Sequence, residues 1–354
     1  MNSFHKKLLR EKSATEITAQ LLSHSSLLST SLELSPFVEE ALSHVLTGKS
    51  HNNAMDRASC LSMVVQYMQL NPAGVTHKLG SIIERLPTLI EKASASLNTN
   101  EATDVQRLLQ EVIRSSSAEQ VVHISKILSK LITVASKIAV RDFSHSNFGL
   151  SILESLVCSK IRNLLTPNAK SIRDTCLEIL MCSSSSGCSQ YSSNLTASIS
   201  SVYGYALSLE PAESWMKEWI RLNEECLRLL STLGLKTGSS TGPSRTGSND
   251  KQPNGVNGGK TVFPNDFYTT KNTSMGSTKA LFVQRVFSGL CKCLKQVLLT
   301  GCSGGFIRLD LSSFMKMVSV VLGLHLDIST KDPVNMIENS DGISPFDLCL
   351  IGKQ

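Results

Sequence analysis

A leucine-rich helical pattern, a polar segment and a second apolar helical pattern follow one another late in the chain, and this order limits its fold more than any other feature. The first piece runs from Ser214 to Gly234 (SWMKEWIRLNEECLRLLSTLG) and the second from Ala280 to Leu299 (ALFVQRVFSGLCKCLKQVLL). Between them, from about Lys236 to Lys279, lies a stretch rich in Gly, Ser, Asn and Pro with no apolar stripe. Such a composition buries too little surface to offset its ordering entropy, so a disordered linker is expected there. Nothing in these three pieces has the look of an active site. They read as packed helices interrupted by one insertion, which favours a scaffold over an enzyme.

Composition agrees. The chain has 354 residues, room for two average domains or one elongated array. Hydrophobic residues make up 41% but aromatics only 5%, so Leu, Ile, Val and Ala must build the core. That bias suits helices on helices better than β-sandwiches. The formal charge of +6 is mild for this length and permits weak contact with nucleic acid without arguing for it. The densest basic stretch, His5-KKLLREK, reads as a solvated helix end. The opening is polar rather than a secretory leader, so the ten cysteines are expected to be reduced thiols. The sequons at Asn194 and Asn272 then read as chance matches. No apolar run reaches transmembrane length.

Helical periodicity runs through the chain. Val105, Leu108, Leu109, Val112 and Ile113 recur at three and four, as do Val121, Ile124, Leu128, Leu131 and Ala135. Two further segments, Leu150-SILESLVCSKIRNLL and Ala169-KSIRDTCLEILMC, are each expected to form one helix, with Thr166-Pro167 as stop and restart. Ser35-Pro36 reads as an N-cap with proline in the first turn, and Gly48 as a helix end. Strand signals are scarce: Asn254-Gly255 and Asn257-Gly258 sit between polar residues, and Asp341-Gly342 in a loop. Helices joined by short breaks suggest an all-α fold, an armadillo- or HEAT-like α-solenoid with degenerate repeats. An irregular helical bundle would fit the same stripes.

The chemical constellations are weak. Cys291-Lys-Cys293, with Cys302 beyond it, lacks the second pair of a zinc site, and a C-x-C on a helix turns its thiols to different sides. Core packing is the reading. Cys182-SSSSG-Cys188 has no partner histidine, and the eight histidines are scattered without H-x-x-x-H or H-E-x-x-H spacing. Gly301-CSG-Gly305 lacks a phosphate loop's lysine and reads as a turn between helices. No nucleophile-elbow, kinase or dinucleotide signature is present, so no catalytic residue and no cofactor are expected. Trp215 and Trp219, four apart, share a helix face: they either anchor a partner or staple adjacent repeats. Arg141, Lys160, Arg162, Lys170 and Arg173 form a loose basic zone. It reads as solvated surface or as phosphate contact, with Lys160, Arg162 and Arg173 the candidate RNA-contacting residues. Val262-FPNDFY is an aromatic island that could dock back or serve as a linear motif.

Two segments carry a family resemblance. Glu213-SWMKEWIRLNEECLRLLSTLG is similar to the Glu-Ser-Trp helix that precedes a variable loop in the pre-rRNA-processing scaffold of the Rix complex. The animal members are called proline-, glutamic acid- and leucine-rich protein. Gln284-RVFSGLCKCLKQVLL, continuing to Leu311-SSFMKMVSVVLGLHLDIS, resembles that family's Arg-Phe-Ser-Gly-Leu helix and its successor. Ala169-KSIRDTCLEILMCSSSSG resembles the preceding repeat more weakly. The span from Glu213 to Ser329 that holds the first two is about a third of the chain. The resemblance implies a non-enzymatic scaffold of the nucleus, nucleolus and nucleoplasm that supports pre-rRNA processing and 60S maturation. It implies as partners a WD-repeat propeller protein, a second helical-repeat protein, an AAA-type remodelling ATPase and pre-60S particles, with no membrane. The expected organisation is helical repeats over 1–235, a linker over 236–279 and continuing repeats over 280–354. The chain ends at Gln354 without the family's proline-rich acidic tail, so a truncated repeat array is expected. It also lacks Leu-x-x-Leu-Leu, since Val105-QRLL and Cys226-LRLL each miss the first leucine, which weakens nuclear-receptor coregulation. The stripes alone leave a generic armadillo-like adaptor in nuclear transport or transcription as the other reading.

Overall fold

The computed structural model describes residues 36–47, 57–96, 99–141, 143–182, 193–232, 276–302, 309, 311 and 313–321. Among them every regular element is a helix and no strand occurs, so the fold is all-α. The amino-terminal basic stretch, the linker with its aromatic island, the Cys182–Cys188 loop and Asp341-Gly342 fall outside the described positions in whole or part.

The chain divides into two compact units, Met1–Cys182 and Ser183–Gln354. In the first, α1 spans Pro36–Thr47, α2 Arg57–Leu70 and α3 Leu79–Ser96, with a 3-10 helix at Pro72–Lys78 between the last two. Then come α4 (Thr99–Ser115), α5 (Ala118–Arg141) and α6 (Phe143–Val157). A second 3-10 helix, Arg162–Asn168, leads into α7 (Ala169–Cys182). The α2–α3 turn follows from Asn71-Pro72. Asn71 Oδ1 accepts the Gly74 amide at 3.1 Å, satisfying a donor that the helix start leaves open, while Pro72 fixes the first turn.

Packing follows the apolar stripes. α5 buries Ile124, Leu128, Leu131, Ile132, Ala135, Ile138 and Ala139, and α4 buries Val105, Leu108, Leu109, Val112 and Ile113. α1 packs on α2 and α3, α2 on α4, α3 on α4 and α5, α4 on α6, and α5 on α6 and α7. Helices α1, α3, α5 and α7 therefore touch in succession, as do α2, α4 and α6, giving this unit two layers. Gln106 and Gln110 of α4 both donate to Ser155 Oγ of α6, at 3.4 and 3.0 Å, binding neighbours within one layer.

The segment from Leu150 to Leu165 is not one helix. α6 stops at Val157, where local side-chain bonds displace the helical ladder: Ser159 Oγ accepts the Ile161 amide at 3.3 Å. Lys160 turns away to donate from Nζ to the carbonyls of Arg114 and Ser116, both at 3.0 Å.

One buried ion pair ties three helices of this unit. Glu101 of α4, 5% exposed, faces Arg57 of α2 at 3.0 Å and accepts Ser96 Oγ of α3 at 2.8 Å. Arg57→Met strands the carboxylate and is expected to cost about 2–3 kcal/mol. That is below the full penalty for breaking a buried pair, because the Arg57 side chain keeps 26% exposure. Urea midpoints check it, and adding Glu101→Gln to Arg57→Met should recover most of the loss.

In the second unit, α8 spans Ser193–Leu207, α9 Ala212–Thr232 and α10 Gly276–Thr300, and residues 313–321 form α11. α10 packs on both α8 and α9. Thr300 Oγ1 donates to the Gly204 carbonyl at 3.1 Å, fastening the end of α10 to α8.

Candidate interaction surfaces

The two tryptophans lie on the buried stripe of α9. Trp215 is 2% exposed and Trp219 is fully buried. Their rings stack at 6.0 Å with 10° between planes, and Trp219 meets Phe314 of α11 at 5.8 Å. Beside them Tyr203 of α8 donates its hydroxyl to Glu218 Oε1 at 2.5 Å, and Arg221 lies 3.0 Å from the same oxygen. Both indoles are thus buried core groups of the second unit, and Trp219 fastens α9 to α11.

The thiols also have structural surroundings. Cys293 is buried and Cys291 only partly so, as their spacing on α10 dictates, and Cys226 of α9 shares a hydrogen bond with Cys291. That bond, reinforced by burial, pushes the Cys226 thiol well up; burial, then Cys291, does the same to Cys293. Among the described residues no group of three or more His, Cys, Asp or Glu is placed to hold a metal ion. Cys158 is exposed at the end of α6, yet desolvation and then Glu154 push its thiol up to about 11, against the pull of Arg162. The thiolate is about 100-fold scarcer than at an ordinary thiol of 9.0, and greater nucleophilicity returns roughly tenfold. Cys158 is expected to alkylate about tenfold slower than a free thiol near pH 8. Mass spectrometry of iodoacetamide-treated protein reads this directly.

The basic zone loses one of its members to the core and has another tied to backbone carbonyls. Lys160 is engaged with the carbonyls at the end of α4, where a cation complements the helix dipole. Arg173 is buried at 6% exposure, because it shares the inward face of α7 with Cys176, Leu177 and Leu180. Lys160 and Arg162 are both exposed, as are Lys170 and Arg141, so of the three only Arg173 is withdrawn from solvent. A second alignment of cations, sharing Arg141 with the zone, runs along α5. Lys126, Lys130, Lys137 and Arg141 are all exposed on the outer face of α5, at steps of four, seven and four residues. After Glu119 this helix carries no acidic residue. The signal was present in the sequence: these positions fall opposite Leu128, Leu131 and Ala135.

No helix among the described residues is long and apolar enough to cross a membrane. Comparison with protein-family models, curated proteins and solved structures finds no match.

Proposed function

We propose that this protein is a non-enzymatic scaffold of a Rix-type complex, an armadillo-like α-solenoid supporting pre-rRNA processing and 60S maturation in the nucleus. One observation carries the reading. The two segments that resemble the Rix scaffold family, 213–234 and 284–299, flank a long polar stretch and pack together as α9 and α10 of one unit. The two-layer succession of helices in the first unit supports the solenoid architecture. The partners this implies are a WD-repeat propeller protein, a second helical-repeat protein, an AAA-type ATPase and pre-60S particles.

Depleting the protein and probing spacer-containing pre-rRNA by northern blot tests the proposal. Accumulated precursor, together with co-purification of a propeller protein and pre-60S factors, is expected. Unchanged precursor with transport factors or chromatin proteins in the purified fraction would select the adaptor reading instead.

A further inference from the structure

We infer that the outer face of α5 is a binding surface for the phosphate backbone of double-stranded RNA. Lys126, Lys130, Lys137 and Arg141 lie along this face, and none has an ion-pair or hydrogen-bond partner among the described residues. Elsewhere in the same unit the acidic Asp104 and Glu111 are each met by a cation of their own helix, Arg107 and Arg114. The α5 cations therefore stand as an unneutralised positive line on a rigid helix. At 1.5 Å per residue the line is about 22 Å long, and its two cation pairs are centred about 16 Å apart. Two pairs this far apart can meet separate phosphates of one duplex.

The chemistry of the face narrows the partner. Its other exposed residues between Lys126 and Arg141 are Ser129 and Thr133, and Thr133 donates back to the Ser129 carbonyl at 2.8 Å. Recognition therefore falls on the four cations. A protein interface needs an apolar or aromatic centre, and the one large exposed apolar residue of α5, Val122, lies a turn before Lys126, at the edge of the line and not between the cations. Lying on a membrane surface needs a free apolar face, but that face of α5 is buried in the unit. A single strand would need aromatic platforms for its bases, also absent from this face. What remains is sequence-independent contact with a duplex backbone. The choice of RNA over DNA rests on the proposed role in pre-rRNA processing.

The test is fluorescence anisotropy with the full chain and a labelled RNA duplex of about 20 base pairs across a salt series. Four phosphate contacts predict about 100-fold weaker binding at roughly 200 mM than at 50 mM salt. The variant K126Q/K130Q/K137Q/R141Q should bind markedly more weakly and lose about three to four units of salt slope. K126R/K130R/K137R should bind like the original, and R162Q/K170Q, altering exposed cations elsewhere, should leave binding unchanged. Equal binding by the quadruple variant with an intact helical spectrum overturns the surface, as does equal weakening by R162Q/K170Q. Equal or tighter binding to a DNA duplex overturns the RNA assignment. Preference for phosphatidylserine vesicles or polyglutamate over the duplex overturns it in favour of a membrane or an acidic protein. The titration contains no ribosomal factor, so its failure is separable from unchanged pre-rRNA precursors, which would sink only the scaffold role.

Discussion

Gly149→Ala is expected to destabilise the first unit by about 2–3 kcal/mol, and Gly149→Val by more. The sign is the informative part. In a helix interior, Gly→Ala ordinarily stabilises by roughly 0.5–1 kcal/mol, through lower unfolded-state entropy and better propensity. At Gly149 the new Cβ would lie 2.5 Å from the Ala139 amide nitrogen, 2.6 Å from the Ala135 carbonyl oxygen and 2.7 Å from the Ala139 Cα. These are backbone atoms of α5, with no side-chain freedom to yield, so the helices would have to separate by about an ångström. Ser146 Oγ, which donates to the Ala139 carbonyl at 2.6 Å, would be pulled away with them. Gly80, near the start of α3, is the internal control, because nothing lies within 4 Å of its Cβ position. Gly80→Ala should be neutral or stabilising by a few tenths of a kcal/mol. Urea unfolding followed by circular dichroism checks both. A Gly149→Ala protein as stable as Gly80→Ala would refute the close α5–α6 approach.

The second large effect is expected at Trp219. Trp219→Ala removes a fully buried indole from between Trp215 and Phe314, leaving a cavity bounded by two aromatic rings. The loss should be about 3–5 kcal/mol, a large share of the 5–15 kcal/mol that holds an average domain. Both tryptophans of the chain lie in α9, so their fluorescence reports on the second unit alone. In the variant Trp215 remains as the probe, and its emission should shift to the red at markedly lower urea than in the original protein. Trp219→Phe keeps a ring in the stack and should lose less than half as much. If Trp219→Ala unfolds at the original midpoint, the indole cannot be bearing on α11.

The helices that could be read directly were those with one buried face. α4 and α5 stand out because polar residues fill the positions opposite their stripes. α2 gives no such pattern: Cys60, Leu61, Met63, Val64, Val65, Tyr67 and Met68 are all buried, so apolar residues surround the helix and the period disappears. The end of α6 was hidden for another reason. Apolar positions recur at helical spacing through Leu165, and the break pairs a local bond, Ser159 Oγ taking the Ile161 amide, with Lys160 reaching a helix more than forty residues earlier, a contact no local pattern encodes. Lys160, Arg162 and Arg173 were grouped by closeness in sequence, whereas helical phase decides exposure. Arg173 falls in phase with Leu177 and Leu180 and goes inside. The α5 cations fall opposite their leucines and stay out, although fifteen residues separate the first from the last.

α9 and α10 are joined through residues 233–275, yet they pack directly on each other. The contact is therefore made by the faces of the two helices and not by closeness in sequence. In physical terms the second unit is built like a split protein, from two complementary pieces far apart in sequence that meet through their buried faces.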